Sequence, residues 1–408
     1  LGYNISEESF FEPLRKVITS MKLRGSWGLV GNDQIGGERF IYMPTINLSG
    51  KGFTTGIDQN YGLSGPVYTR YENNSITWEV GEKINLGIDL QLLNSLNIVV
   101  DIFRETRRDI FQKKGTIPTY LGTGNTDVFG NLAEMKNQGL DLSIDYNKAF
   151  SKDFYMNFKG TFTYAHNEIT KYDEAPKYAF QSKVGQSANV SQGYLSNGLF
   201  LDEAEIDRYN QQMGSTLGAG DIKYLNVSNM HGYGDDIVDV DDWTWIGNPT
   251  VPEIVYGFGP SFKYKNWDFS FFFQGVAKTS LFMSGFHPFG DNSLRNVLQF
   301  VANDRWSPTN QNVDAKYPRL TRKTSLNNTN PGNSGRTSDY WMRDGSFLKL
   351  KNMELGYTFK RMRFYISGSN LLTFSKFDLW DPEQGGGGGL KYPTQRVFNV
   401  GFQMTFNN

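Results

Sequence analysis

Residues 254–264 alternate apolar and polar side chains with a period of two. Ile254, Tyr256, Phe258, Phe262 and Tyr264 fall on one face, and Val255, Gly257, Gly259, Ser261 and Lys263 on the other. After Lys265 and Asn266, the alternation resumes with Trp267, Phe269, Phe271 and Phe273 opposite Asp268, Ser270 and Gln274. Period two predicts strands. Strands this long, aromatic on one side and polar on the other, predict an all-β fold, a transmembrane antiparallel β-barrel. The same pattern predicts ten strands, at about 21–30, 82–92, 95–104, 137–147, 154–166, 253–264, 267–277, 346–358, 361–370 and 395–406. In 346–358 the phase slips near Lys351 and Asn352, which points either to a β-bulge or to a strand boundary that lies elsewhere.

Short turns near 93–94, 148–153, 265–266 and 359–360 alternate with long polar segments at 31–81, 105–136, 167–252, 278–345 and 371–394. Outer-membrane barrels sort their connections this way, with tight periplasmic turns and long extracellular loops. A C-terminus in the periplasm would put every long loop outside. Within 167–252 a short helix is expected near 202–212, with Asp202 and Glu203 in its N-terminal turn.

Composition modifies this picture in a few places. A mean hydropathy of -0.49 and 38% hydrophobic residues would suggest a soluble chain. A barrel strand, however, offers only alternate residues to lipid, so its hydropathy signal is weak. No run approaches the ~18 apolar residues of a membrane helix. The 31 Phe, 22 Tyr and 8 Trp are the residues that barrels place on the lipid face and in interfacial girdles. A net charge of -1 gives a nucleic-acid partner no electrostatic support. With no cysteine, disulfides, thiolate metal sites and cysteine nucleophiles are excluded. The chain starts at Leu1 with neither a signal peptide nor an initiator Met, and reads as a mature or proteolysed piece or as part of something longer.

Candidate chemistry is sparse, and no enzyme is expected. His166, His231 and His287 lie far apart in sequence, Gly122 and Gly124 begin a G-x-G that no third glycine or helix completes, and no cofactor site is indicated. Asp235, Asp236, Asp239, Asp241 and Asp242 could ligate Ca²⁺, but they miss the D-x-[DN]-x-[DN]-G spacing, and a solvated acidic loop is the plainer reading. Trp243 and Trp245 are the candidate ligand-contact residues, as a stacking platform for a sugar or aromatic group; the competing reading is that they pack the loop. The inward faces mix Lys22, Arg24, Lys159, Lys263, Arg361 and Arg363 with Asp89, Asp101, Asp141, Asp145 and Asp268. That lining suits a lumen filled by a protein segment that pairs with it, or a water-filled channel. Its many small residues (Gly87, Ser143, Gly257, Gly259, Ser261 and Gly401) suit a wide barrel around a plug. The edges at 21–30 and 395–406 are then expected to pair with strands outside these residues.

The chain resembles the C-terminal half of the SusC/RagA-like, TonB-dependent outer-membrane transporters of Bacteroidota. The resemblance is carried by SMKLRGSWGLVGN (20–32), ITWEVGEKINLGIDLQLLNSLNIVVDIFRETRRDIF (76–111), AEMKNQGLDLSIDY (133–146), IGNPTVPEIVYGF (246–258) and WDFSFFFQG (267–275). It continues through RWSPTNQN with YPRL (305–320), MRDGSFLKLKNMELGYTF (342–359), YISGSNLLTFSKF with DPE (365–383) and YPTQRVFNVGFQMTF (392–406). It implies that residues 1–408 are about ten strands of a 22-stranded barrel, closed around an N-terminal plug that lies outside this sequence, as do the TonB box and the first strands. Leu1–Ile5 resembles the tail of a preceding strand. The implied function is active import of a large nutrient, an oligosaccharide or peptide, energised through the TonB complex. The implied partners are outer-membrane lipid and a SusD-like surface lipoprotein, with a dimer of that two-protein complex. Two features depart from the family: YLNVSNMHGYGDDIVDVDD replaces the usual acidic loop before IGNP, and Asn407 and Asn408 follow the terminal aromatic. The rival readings are a scaffold or receptor within a surface complex, a passive ten-stranded porin and a soluble carbohydrate-binding sandwich.

Overall fold

The computed structural model describes residues 1–408 except 35–38, 119–125, 210, 213–215, 286–295, 323–326, 328–336 and 407–408. Gly122, Gly124 and His287 lie outside the described residues. One antiparallel sheet of eleven strands dominates: β1 Gly2–Asn4, β2 Ile18–Asn32, β3 Glu79–Leu92, β4 Leu96–Lys113, β5 Phe129–Ala149, β6 Phe154–Lys171, β7 Ile254–Tyr264, β8 Trp267–Ala277, β9 Phe347–Phe359, β10 Met362–Ser375 and β11 Val397–Met404. Each strand pairs with its neighbours in chain order. All ten expected strands are present. The eleventh is the Leu1–Ile5 tail, whose Gly2–Asn4 pairs with Arg24–Lys22.

Three differences from the sequence reading have physical causes. β4, β5 and β6 run well past their expected ends into the segments read as loops. Above the apolar band both faces meet water and loops, so alternation stops while the ladder continues. A hairpin, Thr45–Thr55 with Tyr61–Arg70, lies inside the segment read as a loop at 31–81. Its register shifts break the period that would have betrayed it. Finally, the edge at 21–30 is met over Lys22–Arg24 by β1 of this same chain, not wholly by strands outside it.

The register aligns side chains into continuous rows. Leu23, Ile88, Val100, Leu142, Phe162 and Tyr256 face outward in one row, and Leu90, Ile98, Ile144, Phe258, Phe273 and Leu350 in another. Next to the short turns, Phe154, Tyr264, Trp267, Tyr357, Phe364 and Phe402 form a third row, all aromatic. Ring contacts link it, with 6.4 Å between Phe154 and Tyr264, 4.7 Å between Trp267 and Tyr357 and 5.1 Å between Phe364 and Phe402. At the other end of the band the outward positions turn polar, with Arg104, Gln138 and His166 in register. From Phe154 to Tyr164 the rise of a tilted strand amounts to roughly 25 Å, the height of a barrel's apolar belt.

The phase slip near Lys351 is a bulge. Phe272 pairs with Asn352 and Phe273 with Leu350, while across β10 the partners jump from Leu372 to Ser369. The extra residue switches parity, so that Lys349 above it and Asn352 and Glu354 below it all face inward. Without the bulge, Asn352 and Glu354 would point into lipid.

Phe271, mid-strand on the outward face, pairs with Met353, and Ser270 points inward beside Glu354. Phe271→Arg is expected to cost about 2–4 kcal/mol near the bilayer midplane and to deplete assembled barrel, whereas Ser270→Arg should assemble. Quantifying folded protein in membrane fractions checks this, and equal tolerance of both would reverse the assignment of faces.

Candidate functional site: the inner wall and its loop cap

The inward rows carry paired charges. Arg24 reaches across two strands, with Nε 2.9 Å from Asp89 Oδ1 and Nη2 2.8 Å from Asp101 Oδ2. Nearer the short turns, Arg363 donates to both Asp268 and Glu354, with Nη2 2.5 Å from Glu354 Oε1. Each guanidinium lies over a glycine. A Cβ on Gly87 would stand 2.8 Å from Arg24 Nη2, and one on Gly356 would stand 2.6 Å from Arg363 Nη2. These small residues are slots for the long side chains of neighbouring strands, not bare wall. Thr163 Oγ1 donates to Asp141 at 2.7 Å, and Asp145 takes a hydrogen bond from Asn147. The expectation that mixed charges await another segment therefore needs correcting for Arg24, Arg363, Asp89, Asp101 and Asp268, which neutralise one another within the wall. Lys22, Lys159 and Lys263 are left without an ion pair among the described residues. Lys159 and Glu354 border an inner-wall recess of about 360 Å³ lined by Gly259, Ser261, Ser270 and Ser369.

The long loops build a core of their own. Tyr194, Leu199, Ile222, Tyr224, Val238, Leu281, Met283, Val301, Trp306, Tyr317, Trp341 and Phe377 are buried together in a cap over one end of the sheet. The helix expected near 202–212 is part of it, at Glu203–Arg208, with Asp202 accepting from Glu205 N. Fully buried Asp221 binds Arg319 through both oxygens, with Nη2–Oδ2 at 2.9 Å, and also accepts from Asn327 Nδ2 at 2.8 Å and Gly218 N at 2.9 Å. Burial pushes the Tyr317 hydroxyl up to about 12. The five-glycine run Gly385–Gly389 is held in a defined path. Gly387 N donates to Phe282 O at 2.7 Å and Ser284 N to Gly387 O at 2.9 Å, while φ is 72°, 126° and 68° at Gly385, Gly387 and Gly389. Side chains would oppose that path both by backbone strain and by collision, since a Cβ on Gly386 would stand 2.6 Å from Phe282 O.

A buried lysine joins cap to wall. Lys349, 1% exposed, pairs with Asp381 and lies 2.8 Å from Glu383 Oε2, and Lys351 lies 2.7 Å from Glu383 Oε1. Burial pushes the Asp381 carboxyl up, but hydrogen bonds from Lys349 and Glu383 N outweigh it and hold the group below its usual range. A cavity of about 460 Å³, lined by Gln274, Leu281, Phe347, Glu383 and Gly386, opens beside this latch.

The candidate residues from the sequence have packing roles here. Trp243 sets its ring edge-on to Tyr194 at 6.1 Å and packs against the cap core. Trp245 donates Nε1 to Ser182 O at 2.9 Å. Both are partly buried. The acidic run is engaged locally by backbone and side chains: Asp239 and Asp242 form a capping box, Asp242 accepts from Ser228 N at 2.9 Å, Asp235 from Asn226 Nδ2 at 3.1 Å, and Asp241 pairs with Lys177. Among the described residues no group of three His, Asp or Glu side chains is arranged to hold a metal. His166 bonds Glu253 at 2.5 Å and His231 stacks on Phe180 at 4.6 Å. Reading the loops as polar connections missed the cap core and the Lys349 latch. The signal of the core lay in Trp306 and Tyr317 of the 305–320 motif, and that of the latch in Lys349 and the DPE at 381–383.

Lys349→Met should leave Asp381 without its ion pair and Glu383 with Lys351 alone, at a cost of about 3 kcal/mol. Residues around 376–391 are then expected to exchange amide hydrogen faster while the sheet stays protected. Unchanged exchange there would show that the latch does not hold the cap.

No family model matches the chain. It is 25% identical over 443 residues to the TonB-dependent receptor P3 of Formosa agariphila, covering 100% of this chain and 41% of that protein. It is 26% identical over 433 residues to the TonB-dependent receptor SusC of Bacteroides thetaiotaomicron, covering 100% of this chain and 39% of SusC. The chain thus spans about two fifths of the length of these curated relatives. Among solved structures, the RagAB peptide transporter superposes with a TM-score of 0.69 at 21% identity, over 99% of this chain and 43% of that one. The open-open state of the RagAB peptide importer gives 0.69 at 20% identity. At that identity the superposition speaks to the fold, while the relatives named TonB-dependent receptors imply an outer-membrane location. With the outward apolar band and paired inner wall already described, the chain is homologous along its whole length to proteins named TonB-dependent receptors, SusC among them, and its partial coverage of them fits a C-terminal half.

Proposed function

We propose that this chain forms the C-terminal part of the barrel of an outer-membrane importer for a large nutrient, an oligosaccharide or a peptide, energised through TonB and working with a SusD-like surface lipoprotein. The observation that carries the reading is the linear strand order. Among the described residues the sheet begins at β1 and ends at β11, and β2 does not pair with β11. An open edge is not tolerated in hydrocarbon, so the sheet closes through further strands, as the longer relatives would supply. This disfavours the passive ten-stranded porin. Lys22, Lys159 and Lys263 are then available to a plug or to a passing ligand, and the cap supplies the outer surface for capture. The TonB-dependent receptors and the RagAB peptide transporter support import but are longer proteins, so substrate, TonB coupling, lipoprotein partner and dimer are parts of the proposal.

Two experiments test it. Cells carrying the full-length gene should deplete either an oligosaccharide or a peptide pool from the medium. Deleting the gene, or inactivating TonB, should abolish that depletion at least tenfold. Uptake that survives loss of TonB would favour a passive pore, and no uptake phenotype would favour the scaffold reading. Topology can be read directly because the chain has no cysteine. Met230→Cys, on the exposed surface of a long loop, should label with an impermeant thiol reagent on intact cells. Lys360→Cys, in a short turn, should label after the outer membrane is opened. The opposite order would invert the barrel.

A further inference from the structure

On the outward face, between the aromatic row and the middle of the apolar band, lies a groove of about 350 Å³ across β9, β10 and β11. Met353, Leu355, Ile366, Phe398 and Val400 form its walls. Its depth comes from Gly368, which occupies an outward position between Met353 and Phe398 where the neighbouring rows carry large side chains. The double register shift at Lys351 and at Asn370–Leu371 lies at its upper end, and Leu371 rather than a residue-368 side chain borders the gap. Ser367 and Asn399 also border it but occupy inward positions of the ladder, so nothing polar on the outward face would hold water there and only hydrocarbon suits the groove.

Below it, cations gather at the rim. The short turns and the strand end beside them carry Lys148 at the end of β5, then Lys152, Lys265, Lys360 and Arg361, against one carboxylate, Asp153. Lys148, Lys265 and Lys360 each hold Nζ 5.5 Å from the ring of an adjacent aromatic, Phe150, Tyr264 and Phe359. Stems lying along apolar surface with ammonium groups at its edge are placed to meet lipid phosphates. Lys265 and Lys360 adopt φ of 52° and 54°, which glycine or asparagine would adopt at less cost. The turn geometry therefore does not account for lysine at these positions. From Ile366 to Lys360 the strand descends roughly 15 Å, about half of a ~30 Å hydrocarbon core and so the reach of one leaflet.

We propose that this face is a binding site for an anionic phospholipid of the periplasmic leaflet, with one acyl chain in the Gly368 groove and its phosphate held by Lys360 and Lys265. The site rests on the membrane-spanning reading of the sheet but goes beyond import. It assigns the surface a fixed lipid that would brace the bulged strands β9 and β10 from outside.

The test uses the full-length protein, purified from outer membranes in mild detergent and examined by native mass spectrometry with added dioleoyl phosphatidylglycerol. Assembly is verified beforehand by recovery of folded protein from the membrane. Wild-type protein should retain the lipid, and inorganic phosphate in excess should not displace it. Gly368→Leu, which fills the groove against the rotatable end of Leu371, should lower retention about tenfold. The paired change Lys265→Gln with Lys360→Gln should lower phosphatidylglycerol retention about tenfold and leave neutral dioleoylglycerol unaffected. If Gly368→Leu does not assemble, the lysine pair alone decides. Assembled variants that retain phosphatidylglycerol as the wild type does would overturn the lipid site and leave the barrel reading intact. A wild-type chain absent from membrane fractions would overturn the barrel reading instead.

Discussion

Inside a bilayer every backbone N–H and C=O must find a partner within the protein, because no water is there to take its place. A chain that meets this demand with strands has to pair each one laterally and give one of its faces to lipid. The outward rows running from Leu23 to Tyr256 and from Leu90 to Leu350 follow from that demand, as does the aromatic row from Phe154 to Phe402. A one-residue slip would turn a strand inside out, so register is the quantity the sequence must defend. The place within the apolar band where phase changes, Lys351, shows how it is defended. The neighbouring strand shifts its register in step, and Lys349 and Glu354 keep their inward positions on either side.

The inward face solves a different problem. Charges lining an interior are costly unless paired, and pairing across strands requires side chains to lie flat along the wall. Glycines at 87 and 356 open the space that Arg24 and Arg363 fill. Glycine and arginine on this wall are therefore two halves of one device, and the smallness of a residue says little about the emptiness of the surface above it.

The resemblance motifs acquire physical meaning when their partners are seen. DPE supplies Asp381 and Glu383 to the Lys349 of FLKLKN, and YPRL supplies Arg319 to buried Asp221. Trp306 and Tyr317, from the same stretch, fill the cap core. The motifs encode how the outer loops fold and are fastened to the wall. Ligand specificity would then rest on the surfaces these motifs leave free.

The ten long strands of the sheet, their two faces, the phase slip at Lys351, the short turns and the helix capped by Asp202 were legible from the order of residues alone. Each depends on a period of two or on a local capping signal, and both survive in one dimension. The upper ends of β4 to β6 were not legible, because beyond the lipid belt no face is consistently apolar. The partners of Arg24, Arg363, Lys349 and Asp221 were not legible either, since they are separated by tens of residues and are joined only when the strands come into register. Trp243 and Trp245 illustrate the same limit. As sequence they were compatible with either a ligand platform or a packed loop, and their contacts with Tyr194 and Ser182 exist only because distant segments fold over one another.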